Sequence, residues 1–332
     1  MPNRSPEELL PDFFRLESPL PGSPLKAVNV YLVRGERHLL IDNGFNHPLT
    51  EQSLLADLQA LKADFGRMDF LLTHLHSDHN GLISKLLARA PGAKVLMGRK
   101  DGEPYQGWLA DKTAWKRGVF QRFIQYGFPE EERGEIRHPG LEGAPDGPFF
   151  PDFLEDGDRL SYGPYTFTVL ETPGHTPGQI TLYEASRCFY ISGDHVLGDI
   201  TPNITAWGGV EDSLGNYLRS LDKVGALPIE RSFPGHRRMI PDTAGRIDEL
   251  KRHHVARLEE VLDILRRHGR LDVYQVARRM TWAMRGKNWD EYPLGQKPFA
   301  VGEAKSHLDH LKCQELVSME ERGGVLYFAI RN

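Results

Sequence analysis

The sequence predicts an α/β fold followed by a smaller C-terminal domain. Strand-like and helix-like segments alternate from Val28 to Phe233, which is typical of sheets connected through helices. Side chains suited to metal binding follow several of the predicted strands, as a site at the strand ends of an α/β fold requires. After Pro241 the pattern changes to long amphipathic helices and a closing hairpin. We therefore predict a catalytic domain over residues 1–242 and a C-terminal domain over 243–332.

The α/β part begins with a predicted β-hairpin at 25–44, where apolar and polar residues alternate between glycine breaks. Leu54 to Leu61 carry leucines at helical spacing, and the apolar run from Asp69 to Thr73 predicts a buried strand. The later predictions are helices at 82–90 and 213–225 and strands at 94–97, 165–170, 179–183, 188–191 and 231–233. Cys188 would lie buried in one of these strands.

Residues 104–150 depart from this alternation and form an aromatic stretch with a helical centre from Ala114 to Tyr126. We predict an insertion whose aromatic side chains form a lid over an apolar acyl group, with a plain scaffold as the alternative. The aromatic residues concerned are Tyr105, Trp108, Trp115, Phe120, Phe123, Tyr126 and Phe128.

The C-terminal residues predict three helices followed by two strands around Gly323 and Gly324. The first helix carries apolar residues along one stripe from Ile247 to Leu265, and shorter helical patterns follow at 272–283 and 299–314. Helices followed by a hairpin favour a small winged-helix-like domain. We expect it to pack beside the site, where it would form part of the rim or a homodimer contact.

Composition and charge exclude several classes of protein. The longest apolar runs fall far short of the ~20 residues that span a bilayer, so no membrane segment is predicted. The N-terminus has acidic residues and prolines where a secretory signal has a basic start and an apolar core. Two cysteines without a CxxC spacing encode neither a disulfide framework nor a thiolate zinc site. A cytoplasmic location is the expectation.

The charge of the C-terminal domain gives little support for nucleic-acid binding. Residues 243–332 contain sixteen Lys and Arg against thirteen Asp and Glu, and the two signs alternate along the helices. Nucleic-acid binders usually carry a clustered basic stripe. We predict a small-molecule substrate, with nucleic acid as the alternative partner.

The most informative stretch is Thr73 to Gly81, directly after a predicted buried strand. It contains His74, His76, Asp78 and His79, whose imidazole nitrogens and carboxylate oxygens suit zinc and other divalent metals. A solvated polar loop would explain one or two of these residues. It does not explain the three further candidate ligands that follow other predicted strands, which are His175, Asp194 and His236.

This pattern resembles the metallo-β-lactamase-fold hydrolases, whose HxHxDH motif followed by His, Asp and His is matched over roughly residues 25–240. The resemblance implies an αββα sandwich and two divalent metal ions, with Zn²⁺ expected and Fe or Mn²⁺ as alternatives. His74, His76 and His175 would bind one ion, Asp78, His79 and His236 the other, and Asp194 would bridge them. Asp42 would support the orientation of a ligand.

Hydrolysis is the chemistry that two such ions imply, because they activate a water and polarise the attacked group. Asp78 would be the catalytic residue that orients this water. A leaving thiolate needs no strong acid, whereas an alkoxide or amine needs a proton donor, for which His195 is the candidate beside a purely structural role. Trp207 could line the substrate cavity under the predicted aromatic lid.

Differences between the branches of the family that this chain resembles reduce the number of candidate activities. The lactamases proper lack a bridging aspartate at the position of Asp194, and the flavodiiron branch has Glu in place of His76. The remaining similar groups are thioesterases like hydroxyacylglutathione hydrolase, lactonases, and an endoribonuclease branch with a winged-helix-like tail. We predict hydrolysis of a thioester or ester of a small acyl compound. The alternatives are a ribonuclease or phosphodiesterase, a lactonase, and a non-enzymatic metal-binding scaffold.

Overall fold

The computed structural model describes residues 6–136, 143–283 and 288–331. Two β-sheets face each other with helices on their outer surfaces, which confirms the predicted αββα sandwich. The first sheet has its strands in chain order, antiparallel as far as the fourth strand and parallel from there on. Its strands are β1 (Glu7–Leu10), β2 (Phe13–Pro19), β3 (Ala27–Val33), β4 (His38–Ile41), β5 (Met68–Leu72), β6 (Val95–Gly98) and β7 (Asp152–Leu154).

The second sheet has five strands in the order β12-β11-β10-β9-β8. They are β8 (Arg159–Tyr162), β9 (Tyr165–Glu171), β10 (Ile180–Glu184), β11 (Phe189–Gly193) and β12 (Arg231–Pro234). Only the β11–β12 pair is parallel. The prediction for Cys188 was wrong: it precedes β11 in a left-handed conformation with φ of 50° and is partly exposed.

Ten helices lie in the described parts of the chain. They are α1 (Pro48–Ala60), α2 (Ser77–Asn80), α3 (Ile83–Arg89), α4 (Arg99–Ala110), α5 (Lys112–Gln125), α6 (Glu130–Arg133), α7 (Ser213–Gly225), α8 (Thr243–His268), α9 (Val273–Arg279) and α10 (Lys297–Cys313). Each helix and strand predicted above has a counterpart, with ends that shift by a few residues. The strands β1, β2, β7 and β8 were not predicted.

The two sheets are joined by a layer of buried aromatic rings. The ring of Phe13 lies 5.1 Å from that of Phe233 and 5.5 Å from that of Phe189, measured between centroids. Tyr31 packs against the rings of Phe13 and Phe233, and all four side chains are at most 3% exposed. Offset and edge-on aromatic pairs add to the stabilisation that burial alone provides. This layer fixes the relative position of the two sheets and therefore of the loops at their ends.

Helices complete the sandwich on both sides. Leu54 and Leu58 of α1 pack on the outer face of the first sheet with residues of α3 and α4. Leu214 and Leu221 of α7 pack on the second sheet, where α8 contributes Ile247. The apolar stripe of each helix faces a sheet, as the helical periodicity predicts.

The connection from β6 to β7 contains α4, α5 and α6, and its aromatic residues divide between two cores. Tyr105 and Trp108 pack beside the first sheet, whereas Phe123, Tyr126 and Phe128 belong to a core formed with the C-terminal helices. The prediction of an aromatic lid was therefore wrong for these five residues. Phe120 is 48% exposed, and the side chain of Trp115 lies outside the described residues.

The C-terminal residues form α8, α9 and α10 with a three-stranded sheet of order β13-β15-β14. Its strands are β13 (Leu271–Asp272), β14 (Val317–Arg322) and β15 (Val325–Ile330). The helices and hairpin follow the prediction, while the winged-helix-like assignment and the boundary after residue 242 stay predictions. Within the described residues, none of the helices combines the length and apolar character that a membrane span needs.

Candidate metal centre

The candidate ligands lie at the carboxyl ends of the strands on one edge of the sandwich. His74 follows β5 and His175 follows β9, while Asp194 and His236 follow the parallel pair β11 and β12. Backbone hydrogen bonds tie these loops together: Ile180 N donates to Thr73 O, and Gly235 N donates to Gly193 O. All seven predicted ligands are therefore brought to one place, as strand-end chemistry in α/β folds requires.

The ligand atoms form three overlapping groups, within each of which they lie no more than 4.8 Å from one another. The groups are His74, His76 and His175; His74, His79 and Asp194; and Asp78, His79 and His236. The first and third coincide with the two ion sites that the sequence predicts. Their roles as metal ligands stay predictions, supported by this geometry.

Asp194 lies between the two predicted ion sites. Its Oδ2 is 3.6 Å from His175 Nε2 and 3.5 Å from His236 Nε2. Its Oδ1 is 3.6 Å from His79 Nε2. One carboxylate thus reaches both groups with its two oxygens, which is the arrangement that a bridging ligand needs.

The chemistry of the donor set fits divalent ions. The Nε2 atoms of His79 and His236 and the Oδ1 atom of Asp194 are buried, and no described residue gives them a hydrogen bond. Such buried polar atoms are costly unless a ligand satisfies them. Gly235 permits this close approach, because a Cβ at this position would lie 2.5 Å from Asp194 Oδ1 and 2.9 Å from His79 Cε1.

Burial keeps the three-histidine group uncharged. It lowers the pKa of His74 well below the usual range, and repulsion from His79 adds to the effect. Burial and the neighbouring His175 lower the pKa of His76 to about 3. The pKa of His175 is lowered by burial as well. Neutral imidazole is the form that binds a metal, so these ligands need not release protons first.

In the group of Asp78, His79 and His236, carboxylates and imidazoles shift one another's pKa values. Burial opposes ionisation of Asp78, but His79 and His236 lower the pKa of this carboxyl below its usual range. Burial also opposes the charging of His79, yet Asp42 and Asp194 raise the pKa of its imidazole well above the usual value. The pKa of His236 is raised by Asp194 and Asp78 against the effect of burial. Opposite charges thus hold one another at this end of the site.

Partners on the other imidazole nitrogen fix three of the rings. Asp42 accepts from His79 Nδ1 at 2.7 Å and from Thr73 N at 2.9 Å, which agrees with the supporting role predicted for it. His236 Nδ1 donates to Ala27 O at 2.8 Å, and His175 Nδ1 lies 2.8 Å from Asn203 O. Partners of this kind set the tautomer and direct the other nitrogen at the metal.

Asp101 at the start of α4 is a supporting residue that the sequence analysis missed. Its carboxylate accepts hydrogen bonds from Leu75 N at 3.0 Å, Thr176 Oγ1 at 2.6 Å and Gly178 N at 2.6 Å. It therefore connects the loop of His74 and His76 with the loop of His175. Burial raises its pKa to about 6. No motif points to it, because its partners are distant in sequence.

The structure favours a structural role for His195. Its Nδ1 lies 2.8 Å from the hydroxyl of Tyr190, and its backbone carbonyl accepts from the hydroxyl of Tyr217 in α7. Burial lowers its pKa to about 3, so it does not hold the extra proton that a general acid would give at neutral pH.

Trp207 lies at the site, as the sequence analysis suggested. Its indole donates to His175 O at 3.0 Å, and its ring centroid is 5.9 Å from that of His76. The indole therefore forms part of the wall beside the three-histidine group.

Comparison with known proteins identifies the family. The Metallo-beta-lactamase superfamily profile matches residues 24–236. A metallo-beta-lactamase family protein from Thermus thermophilus is 29% identical, with a TM-score of 0.81 over 98% of this chain and 100% of that one. The "Probable metallo-hydrolase YqjP" of Bacillus subtilis is 25% identical over 91% of this chain and 92% of its own length.

A third relative carries a more specific name. The human "Acyl-coenzyme A thioesterase MBLAC2" is 27% identical to this chain, over 63% of this chain and 72% of its own length. The family match covers more than half of the chain and contains every predicted ligand from His74 to His236. The chain is therefore a member of the metallo-beta-lactamase superfamily, a family of metallo-hydrolases.

Proposed function

We propose that this protein is a dinuclear metallo-hydrolase that cleaves the thioester of a small acyl compound, with an acyl-coenzyme A as the leading substrate. The observation that carries the proposal is the cluster of seven ligand side chains in which Asp194 reaches both groups. When bound, two divalent ions lower the pKa of a water and polarise the attacked carbonyl.

Asp78 is the residue that would orient the attacking water. Its carboxyl has a lowered pKa and is therefore ionised at neutral pH. Its side chain is 16% exposed, and its Oδ2 lies 3.3 Å from His236 Nε2, so the carboxylate is both held and accessible. An ionised carboxylate in this position accepts a hydrogen bond from water and directs the oxygen lone pair at the carbonyl carbon.

The buried position of His195, whose Nδ1 lies 2.8 Å from the hydroxyl of Tyr190, supports a thioester over an ester or amide. A pKa of about 3 leaves this candidate donor neutral, so it cannot deliver a proton as an acid does. A thiol with a pKa of about 8.5 leaves readily as a thiolate, whereas an alkoxide or amine must be protonated. The name of the human relative points to the same class of substrate.

A cation beside the site supports an anionic carrier group. A Cβ at Gly208 would lie 3.6 Å from Arg122 Nη1, and Gly208 follows Trp207 of the site wall. Arg122 is partly buried, and among the described residues no acidic side chain forms an ion pair with it. Helix α5 carries four Lys and Arg and no acid. Phosphates of coenzyme A are groups that such a surface attracts.

The test is a substrate panel with the metal-loaded protein. It comprises an acyl-coenzyme A, the same acyl group on N-acetylcysteamine, a lactone, a phosphodiester and a short RNA. We expect thioester turnover that falls about a thousandfold in the double variant Asp78→Ala, His79→Ala. The control is Asp263→Ala, His268→Ala, which removes the same residue types from an exposed part of α8.

The carrier group is tested separately. Arg122→Gln should raise KM for the coenzyme A thioester more than for the N-acetylcysteamine thioester, which has no phosphates. Arg117→Gln, on an exposed position of the same helix, should change neither. Cleavage of RNA with no thioester turnover would contradict the proposed substrate class. Equal activity of the double variant and the wild type would contradict the proposed site.

A further inference from the structure

The support of His175 differs from that of the other ligands. His79 is held by Asp42, and His236 is held by Ala27 O, so both partners belong to the first sheet and its loops. His175 Nδ1 instead lies 2.8 Å from the carbonyl oxygen of Asn203, in the segment between β11 and α7. Whatever fixes this carbonyl therefore fixes the ring of His175.

The segment 203–206 is fixed by α10 of the C-terminal domain. The side-chain amide of Asn203 donates to Glu303 Oε2 at 2.9 Å. Ala206 N donates to Gly302 O at 3.1 Å, and Ser306 Oγ donates to Ile204 O at 2.5 Å. The Asn203 amide also donates to Phe299 O at 3.3 Å. Four hydrogen bonds along one helix thus hold the segment that carries the partner of His175.

The side chain of Glu303 is buried and is held in place by its neighbours. It is 9% exposed, and burial raises the pKa of its carboxyl while Arg257 lowers it. Its Oε1 lies 3.9 Å from Arg257 Nε. Arg257 is 7% exposed and is held by Thr281 O at 2.7 Å, by Glu260 at 2.5 Å and over the ring of Trp282. A carboxylate so enclosed has a fixed position.

We propose that Glu303 is a positioning residue that holds Asn203. The carbonyl oxygen of Asn203 in turn orients the imidazole of His175, so that the C-terminal domain sets metal affinity at the three-histidine group. The chain of contacts runs from Arg257 through Glu303 and Asn203 to His175. The inference rests on the proposed metal site. It gives the C-terminal domain a role in the site that requires neither nucleic acid nor a second copy of the chain.

Two changes interrupt the chain of contacts at different points. Glu303→Leu removes the shorter of the two hydrogen bonds from the Asn203 amide and leaves only the one to Phe299 O at 3.3 Å. Glu303→Gln keeps an oxygen that can accept the same hydrogen bond. Gly302→Ala acts independently, because a Cβ there would lie 2.0 Å from Thr205 Oγ1 and would push the segment away from α10. Loss of a partner that orients a metal ligand typically costs about 10- to 100-fold in metal affinity.

The experiment measures Zn²⁺ dissociation constants by competition with a chromophoric chelator, together with the visible spectrum of the Co²⁺-loaded full chain. We expect Glu303→Leu and Gly302→Ala to weaken one of two ions about tenfold and to shift the Co²⁺ bands. Glu303→Gln should stay within about twofold of the wild type. The control Asp309→Leu removes another buried carboxylate of α10, whose partner is Lys305 and which contacts neither Asn203 nor Arg257, so its Zn²⁺ affinity should also be unchanged.

Two results would overturn the inference. One is wild-type affinity and spectrum in Glu303→Leu, or in Gly302→Ala if the Leu variant does not fold. The other is an equal loss of affinity in Asp309→Leu, which would assign the effect to general loosening of the C-terminal helices. A wild-type chain that binds no divalent ion would overturn the proposed metal site itself, so the two failures are distinguishable.

Discussion

The sandwich and the C-terminal core hold their polar groups in different ways. In the sandwich, buried carboxylates such as Asp42 and Asp101 bind loops that leave neighbouring strand ends. In the C-terminal core, Glu132 of the β6–β7 connection binds Tyr274 and Lys297, which lie 142 and 165 residues away in sequence. The first arrangement follows from the order of strands in a sheet. The second requires three remote segments to meet.

This difference means that the connection between β6 and β7 packs on the C-terminal core as much as on the sandwich. Tyr274 N donates to Tyr126 O, and the ring of Phe128 packs edge-on against Tyr274 at 5.2 Å. Tyr126 and Phe128, for which the sequence predicted a lid, therefore pack against the C-terminal core instead. Metal binding by Asp78, His79 and His236 should therefore depend on buried groups of the sandwich such as Asp42. The stability of the C-terminal core should depend on the Glu132 cluster, defined as Glu132, Tyr274 and Lys297.

The largest effect on metal binding is expected at Asp42. Asp42→Asn removes the charge that holds His79, so we expect Zn²⁺ affinity to fall by about 10- to 100-fold. The matched control is Asp69→Asn, because both carboxylates are 2% exposed but Asp69 binds Arg37 and Tyr162 instead of a candidate ligand. Chelator competition measures both variants. An equal loss of affinity in the control would contradict the distinction between the two carboxylates.

A substitution of Lys297 tests the contribution of the Glu132 cluster to the stability of the C-terminal core. Its side chain is 3% exposed and its ammonium lies 2.6 Å from Glu132 Oε1, so Lys297→Met leaves a largely buried carboxylate without its charge partner. We expect the free energy of unfolding in urea to fall by about 3 kcal/mol, with unchanged Zn²⁺ affinity. Lys251→Met breaks a solvent-exposed pair with Asp222 and should cost less than about 1 kcal/mol. Equal losses of unfolding free energy in Lys297→Met and Lys251→Met would show that the Glu132 cluster contributes no more to stability than an exposed ion pair does.

The smallest effect is expected at Asp57 on the outer face of the sandwich. Burial raises the pKa of its carboxyl to about 6, so the folded chain holds this proton more tightly than the unfolded chain does. Stability is therefore lost as the pH rises from about 4 to 6. Asp57→Asn should stabilise the protein by about 1 kcal/mol at pH 8 and have no effect at pH 4.

The control for this pH dependence has the opposite sign. Hydrogen bonds from Arg67 and Gly66 lower the pKa of Asp64, so Asp64→Asn should destabilise the protein at pH 8 and not at low pH. Urea unfolding at the two pH values gives both results. A stabilising effect of Asp57→Asn that persists at pH 4 would show that charge is not its cause.

The sequence determined the sandwich and the candidate ligands because both depend on local patterns. Alternation of apolar residues identifies strands, and a ligand directly after a strand must lie at the edge of the sheet, as His74 and Asp194 do. The pattern at 243–332 likewise predicts its helices and hairpin. Short strands such as β7 were not predicted from the sequence, because pairing with a neighbouring strand, and not the residues of β7 themselves, makes this segment a strand.

Only the tertiary structure decided which distant residues support the site and what the aromatic connection does. Asp101, Asn203 and Glu303 belong to no motif, and their importance comes from burial and from partners far along the chain. Hydrogen bonds of this kind depend on distances of a few tenths of an ångström, which sequence periodicity does not encode. The aromatic side chains of α5 and the turn after it could have covered a substrate or filled a core, and the packing of α5 against β15 settled the choice.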